Sequence, residues 1–124
     1  MSESKRRVLV VEDEMMIAMM IEDMLADIGC EVIGPANRID AALGLAESDS
    51  DIDVALLDVN LAGQLVYPVA ERLRKRGVPV IFLTGYGNVG IDQRYLDCPF
   101  LAQPFELAGL QAALSKILPD LPKA

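Results

Sequence analysis

Short apolar runs recur along the chain, and each stops at a polar group. Val8-Leu9-Val10-Val11 stops at Glu12-Asp13-Glu14, Val54-Ala55-Leu56-Leu57 at Asp58, and Val80-Ile81-Phe82-Leu83 at Thr84-Gly85. Runs of this length between helical stretches read as buried parallel strands. The intervening segments change period. Ile17, Ile21, Met24, Leu25 and Ile28 form a helical stripe, as do Ile39, Ala42, Leu43 and Ala46, and again Leu107, Leu110, Leu114 and Ile117. The pattern predicts strands near Arg7–Val11, Glu31–Ile33, Val54–Leu57, Val80–Leu83 and Phe100–Ala102. It predicts helices over about Glu14–Gly29, Arg38–Glu47, Tyr67–Arg76 and Glu106–Leu118. Asn37 is the expected N-cap of the second helix. Pro68 suits the first turn of the third helix, and Gly77 its C′ position. Gly85, Gly87 and Gly90 crowd the fourth helical segment, which is expected to be short or mobile between about Ile91 and Tyr95. The tail from Pro119 is expected to fray. Repeated β-α units imply an α/β fold, a doubly wound parallel sheet with helices on both faces.

Length and composition narrow the function. The 124 residues suit one domain, with its core over about residues 7–118 and no output domain after it. Net charge is −8 and basic residues are scattered, which argues against a nucleic-acid surface. No stretch approaches the roughly 20 apolar residues of a membrane span, and no signal peptide is evident, so the expected location is cytoplasmic. Cys30 and Cys98 are too few for a disulfide scaffold and read as reduced, core-like thiols. Histidine is absent, which removes a Ser-His-Asp triad, His-based zinc ligation and a phosphohistidine carrier. Any phosphate accepted by this chain would go to an aspartate.

In an open α/β sheet, function sits outside the carboxyl ends of the strands. Three strand ends therefore bring carboxylates and one hydroxyl to a common edge. Acids gathered there repel one another unless a cation lies among them. Oxygen ligands suit Mg²⁺, held by one or two carboxylates together with water and phosphate. Each piece also has a plainer reading. Glu12-Asp13-Glu14 fits a helix start, Asp58 a strand-to-loop turn, Thr84-Gly85 a strand end and Phe100 a core position. Met15, Met16, Met19, Met20 and Met24 read as core filler and helix surface. Tyr86 fits either a packed loop aromatic or a gate over the site.

Asp13 precedes Asp58 by 45 residues, Asp58 precedes Thr84 by 26, and Thr84 precedes Gln103 by 19. With these motifs in this order, the chain resembles the receiver domains of two-component response regulators over about Arg7 to Leu118. The resemblance implies a five-stranded, flavodoxin-like sheet in the order 2-1-3-4-5. It implies that Asp58 is the phosphoacceptor, that Asp13 ligates Mg²⁺ directly and Glu12 mainly through water, and that the Asn60 backbone carbonyl completes the protein ligands. Thr84 would bond a phosphoryl oxygen, Gly85 would keep access open, and Phe100 would swing inward when Thr84 moves. Pro104-Phe105 matches the Pro-Phe after the last strand. Phe82-Leu83-Thr84-Gly85-Tyr86-Gly87, with Tyr67-Pro68-Val69-Ala70, looks like the stand-alone FATGUY receivers, although Leu83 departs from their alanine. Gln103 stands where the family has lysine. Glutamine donates hydrogen bonds but brings no charge. Weaker coupling to the switch and a less stable metal-free site are expected, with Arg94 as a substitute cation.

The resemblance implies a non-enzymatic switch that assists only its own phosphorylation and dephosphorylation. A histidine kinase or phosphotransfer protein would donate. A downstream protein would bind the face of the fourth helix, fifth strand and fifth helix, through Ile91, Tyr95, Phe100, Leu107 and Gln111. Gln103 keeps a second function open: a degenerate receiver acting as a phosphorylation-independent scaffold. A flavodoxin-like cofactor binder fits less well, because the strand ends are acidic and no Gly-rich phosphate loop follows the first strand.

Overall fold

The computed structural model describes residues 5–48, 51–85 and 91–121. In chain order its elements are β1 (Arg7–Val11), α1 (Met15–Ile28), β2 (Glu31–Ala36), α2 (Ile39–Ser48), β3 (Val54–Asp58), β4 (Asn60–Leu61), β5 (Gln64–Leu65), α3 (Tyr67–Lys75), β6 (Val80–Thr84), β7 (Phe100–Ala102) and α4 (Leu107–Ile117). A 3-10 turn at Gln93–Tyr95 precedes β7. Five strands pair in parallel in the order β2-β1-β3-β6-β7, the doubly wound order expected of the five main strands. β4 and β5 form a separate antiparallel hairpin.

The apolar runs are continuous because both sheet faces are covered. Leu9, Val11, Ala55, Leu57 and Phe82 pack on the α2–α3 side. Val8, Val10, Val54, Leu56, Ile81 and Leu83 pack against the stripes of α1 and α4, including Ile21, Leu25, Leu110 and Leu114. Truncating one of these side chains, as in Leu56→Ala, should cost about 2–5 kcal/mol.

Local chemistry fixes the helix ends. Gly29 (φ 96) ends α1, and the N–H groups of Gly29 and Cys30 bond back to the Ala26 and Leu25 carbonyls. Gly77 (φ 76) does the same for α3, where it and Val78 donate to Arg74 and Leu73. Both are left-handed glycine stops. The start of α2 differs from expectation. The Ala42 N–H donates to the Arg38 carbonyl, so Arg38 rather than Asn37 holds the cap position.

Three further differences have physical causes. β2 continues past Ile33 because a bulge absorbs Gly34-Pro35: Leu9 pairs Ile33, but Val11 pairs Ala36. Only glycine fits there. At φ 96, an added Cβ would lie 2.8 Å from the Ala36 nitrogen and 3.1 Å from the Val10 oxygen. Among the described residues the fourth helical segment holds a 3-10 turn, and that turn is anchored rather than mobile. The Tyr95 ring stacks on Tyr67 at 5.0 Å, Phe82 meets both edge-on, and the Asp92 N–H donates to the Tyr67 hydroxyl at 2.6 Å. The tail is ordered through Leu121, which is buried, while Asp120 pairs with Arg6 at 2.8 Å. Cys30 is buried and Cys98 half-buried, and both are free thiols.

Candidate functional site

The ends of β1 and β3 define the site. β1 pairs with β3 and β3 with β6, so Glu12, Asp58 and Thr84 leave the sheet at its carboxyl edge. Glu12 is placed by the bulge in β2: the Ala36 carbonyl there accepts the Glu12 N–H at 2.9 Å. Its carboxylate is then buried (2% exposed), and Oε2 accepts the Glu14 N–H at 3.2 Å. Asp58 is half-buried, and its Oδ1 accepts the Asn60 N–H at 3.3 Å. Oxygen atoms of Glu12, Asp13 and Asp58 all lie within 4.8 Å of one another. Among the described residues, no lysine or arginine pairs with any of the three.

Gln103 joins this group from just past the end of β7. Its backbone N–H donates to the Thr84 carbonyl at 2.8 Å, and its side-chain Nε2 donates to Glu12 Oε1 at 3.3 Å. The residue at the departure from the family pattern therefore touches the acidic cluster, as a neutral donor. Arg94 does not replace the missing charge. Its guanidinium pairs with Asp92 at 3.2 Å and lies over the Tyr95 ring, so a local carboxylate and an aromatic face hold it.

The electrostatics follow from crowding. Burial pushes the Asp58 carboxyl up to about 8. The hydrogen bond with Glu12 and the negative charges of Glu12 and Asp13 push the same way, against the Asn60 N–H. Burial also raises Glu12, opposed by its bonds to Asp58, Glu14 and Gln103. Two neighbouring acids cannot both ionise cheaply, so the pair retains a proton near neutral pH. A set of three convergent carboxylates, without nitrogen or sulfur donors and without a paired cation, has the chemistry of a hard divalent ion site.

Other expected residues fall into place unevenly. Thr84 is buried and in register with Ala102, one step beyond the Asp58–Leu83 pair. Asn60 is exposed, and its side chain accepts the Gly63 N–H at 2.8 Å, closing the β4–β5 hairpin beside Asp58. That hairpin was not expected from sequence. Its turn has Ala62 at φ 52 and Gly63 at φ 87, and Ala-Gly is not a strong signal for such a turn. Phe100 is 39% exposed, on the outside of the sheet edge. Ile91 and Tyr95 are buried, so they are not available to the contact face assigned to them; they belong to the aromatic core under α3. The expected roles of Tyr86, Gly87 and Gly90 lie outside the described residues. On α1 the methionines divide as expected between filler and surface: Met24 packs against the core, while Met15 and Met16 are 76% and 84% exposed.

A family model described as the response regulator receiver domain matches residues 8–115. The chain belongs to this family. Its receiver fold is shared with SdrG from Sphingomonas melonis Fr1, with a TM-score of 0.83 and 39% identity over 94% of this chain and 99% of that one. SdrG has also been solved in a BeF3-activated conformation, which matches with a TM-score of 0.78 and 41% identity over 90% and 95% of the two chains. The receiver domain of sensor histidine kinase PA1611 from Pseudomonas aeruginosa PAO1 matches with a TM-score of 0.80 and 27% identity over 94% and 100%. That structure has a magnesium ion coordinated in its active site cleft. The phyllosphere-induced regulator PhyR of Methylorubrum extorquens is 32% identical over 90% of this chain and 43% of its own length. The chain spans about half the length of the curated relatives it matches. As a receiver it is a module of two-component signalling, and no helix among the described residues is long and apolar enough to cross a membrane.

Proposed function

We propose that this receiver is a Mg²⁺-dependent phosphoryl acceptor at Asp58, loaded by a histidine kinase or phosphotransfer protein in the cytoplasm. The convergence of Glu12, Asp13 and Asp58 within 4.8 Å carries this reading. Glu12, Asp13, Asp58 and the Asn60 carbonyl would hold the ion. When bound, it would neutralise the carboxylates and favour the ionised form of Asp58. An Asp58 oxygen then attacks phosphorus. The new O–P bond forms as the donor's N–P bond breaks, and the imidazole nitrogen leaves with its electron pair and takes up a proton. The Thr84 hydroxyl is the donor for a phosphoryl oxygen. Gln103 supplies a second, neutral donor from the position where the family has lysine. A charge-assisted bond is roughly twice as strong as a neutral one, so phosphorylation is coupled more weakly to the switch here. The chain acts on its own phosphoryl group, not as an enzyme on other substrates, and signals by protein contact through the exposed Phe100 edge and α4.

The Gln103–Glu12 bond favours one other reading, a scaffold that works without phosphorylation, because it satisfies the buried acid without a cation. Intact mass after incubation with a small phosphodonor and Mg²⁺ separates the two. A Mg²⁺-dependent adduct that Asp58→Asn lacks supports the acceptor. A folded, Mg²⁺-binding wild type that takes no adduct from either the small donor or a phosphorylated histidine donor supports the scaffold.

A further inference from the structure

One set of side chains takes no part in that chemistry. Five of the six methionines lie on α1, at positions 15, 16, 19, 20 and 24. They fall three and four residues apart, so neighbouring turns set one thioether above another. The helix meets the sheet through Ala18, Ile21, Leu25 and Ile28. Four of the methionines lie outside that stripe: Met15, Met16, Met19 and Met20 are 76%, 84%, 56% and 38% exposed. Met24 is half-buried and packs on the core.

At such exposure an apolar side chain contributes little to the core. Leucine matches methionine in helix propensity and is at least as apolar. What methionine adds is a polarizable sulfur with a reactive lone pair. The two thiols are weaker competitors for an oxidant. Cys30 is buried and Cys98 half-buried. Burial raises both thiols above the ordinary value, so little of the reactive thiolate forms. The sulfurs that meet an oxidant in solvent are therefore those of α1.

We propose that the outer face of α1 is a reversible oxidation site for hydroperoxides, which deliver oxygen to Met15, Met16, Met19 and Met20 while the fold stays intact. In each step a sulfur lone pair attacks the terminal peroxide oxygen. An S–O bond forms and the O–O bond breaks. The proton of the transferred oxygen passes to the leaving oxygen, which departs as water or an alcohol. Sulfur is oxidised by two electrons to the sulfoxide, and the peroxide is reduced. Methionine sulfoxide reductases reverse the step: a dithiol is oxidised to a disulfide and the oxygen leaves as water. The sulfoxide is polar, so a hollow of about 430 Å³ lined by Met16, Met19, Met20 and Met24 loses its apolar wall. This mark is separate from phosphate on Asp58 and stands whether or not Asp58 accepts it.

The test treats the full chain with hydrogen peroxide and maps oxygen uptake by peptide mass, beside a short methionine peptide as the exposed reference. Met15 and Met16 should oxidise within about twofold of the reference and Met24 at least about tenfold more slowly, with Met19 and Met20 between, as exposure dictates. Cys30 and Cys98 should stay reduced until α1 is oxidised. Circular dichroism should remain that of the folded protein. Retention on a hydrophobic-interaction column should fall with oxygen uptake, and return after treatment with both sulfoxide reductases and dithiothreitol. Met15→Leu/Met16→Leu/Met19→Leu/Met20→Leu keeps the face apolar and should hold its retention under peroxide. Oxidation of a cysteine first, of Met24 as fast as Met15, unfolding with oxygen uptake, reductases that fail to restore retention, or lost retention in the leucine variant would each overturn the proposal.

Discussion

The two ends of the sheet make opposite use of carboxylates. At the amino edge, Asp53 accepts from the Arg7 N–H at 2.8 Å and pairs with Arg6 at 3.3 Å, Asp120 pairs with Arg6, and Glu31 pairs with Arg7 at 3.3 Å. At the carboxyl edge, Glu12, Asp13 and Asp58 gather with a glutamine amide and, among the described residues, no paired cation. Compensated acids of the first kind hold strand starts and a chain end together. Uncompensated acids of the second kind raise one another's affinity for protons and for metal, at a cost to stability. The comparison separates structural carboxylates from chemical ones without reference to any relative.

The largest effect that tests this contrast is on labelling. Asp58→Asn should abolish the Mg²⁺-dependent phosphoryl adduct in intact mass, whereas Asp53→Asn should leave it within about twofold, since it lies at the other edge. A folded Asp53→Asn protein that fails to label would collapse the distinction.

A stability profile against pH comes next. The folded Asp58 pKa of about 8 lies above the ordinary 3.8, so the native state holds an extra proton between these values. Metal-free stability is therefore fully present below about pH 4 as far as this group is concerned, and is lost as pH rises towards 8. Mg²⁺ should flatten this decline. Asp120 has the opposite sign: the hydrogen bond and charge of Arg6 lower its pKa, so its smaller contribution is lost as pH falls. Urea midpoints across pH, with and without Mg²⁺, measure both; a metal-free midpoint that rises between pH 5 and 8 would contradict the crowding.

Gln103→Lys should make the carboxyl edge resemble the amino edge. A cation near Glu12 should stabilise the metal-free protein at pH 8 by about 1–2 kcal/mol and shrink the response to Mg²⁺, read from the same midpoints. The smallest change is Arg6→Ala. Its ion pairs are exposed, and their loss should shift the thermal midpoint least of all these changes.

Much of this contrast is legible in the chain itself. Apolar runs that stop at acids identify the strands and the edge at which Asp13 and Asp58 meet, because burial on both faces leaves no other role for such runs. The misses came where tertiary contacts override local pattern. Gly34-Pro35 reads as a strand breaker but forms a bulge. Ala62-Gly63 lacks the residues that mark a tight hairpin. Ile91 and Tyr95 follow a glycine-rich stretch and look like surface, yet the ring of Tyr67, 28 residues before Tyr95, draws that tyrosine inward. Arg94 is a free charge in sequence, and only the fold reveals its partners.

The bulge has a further consequence. In a library of all single substitutions, position 34 should be as bare of survivors as position 58, though it carries no reactive group. Any side chain there meets two backbone atoms at once, and one of them belongs to the residue whose carbonyl seats Glu12. A selection for signalling would score Gly34 as part of the active centre; a selection for folded protein alone would show it to be a mason's keystone two residues from the carbonyl that seats the acid.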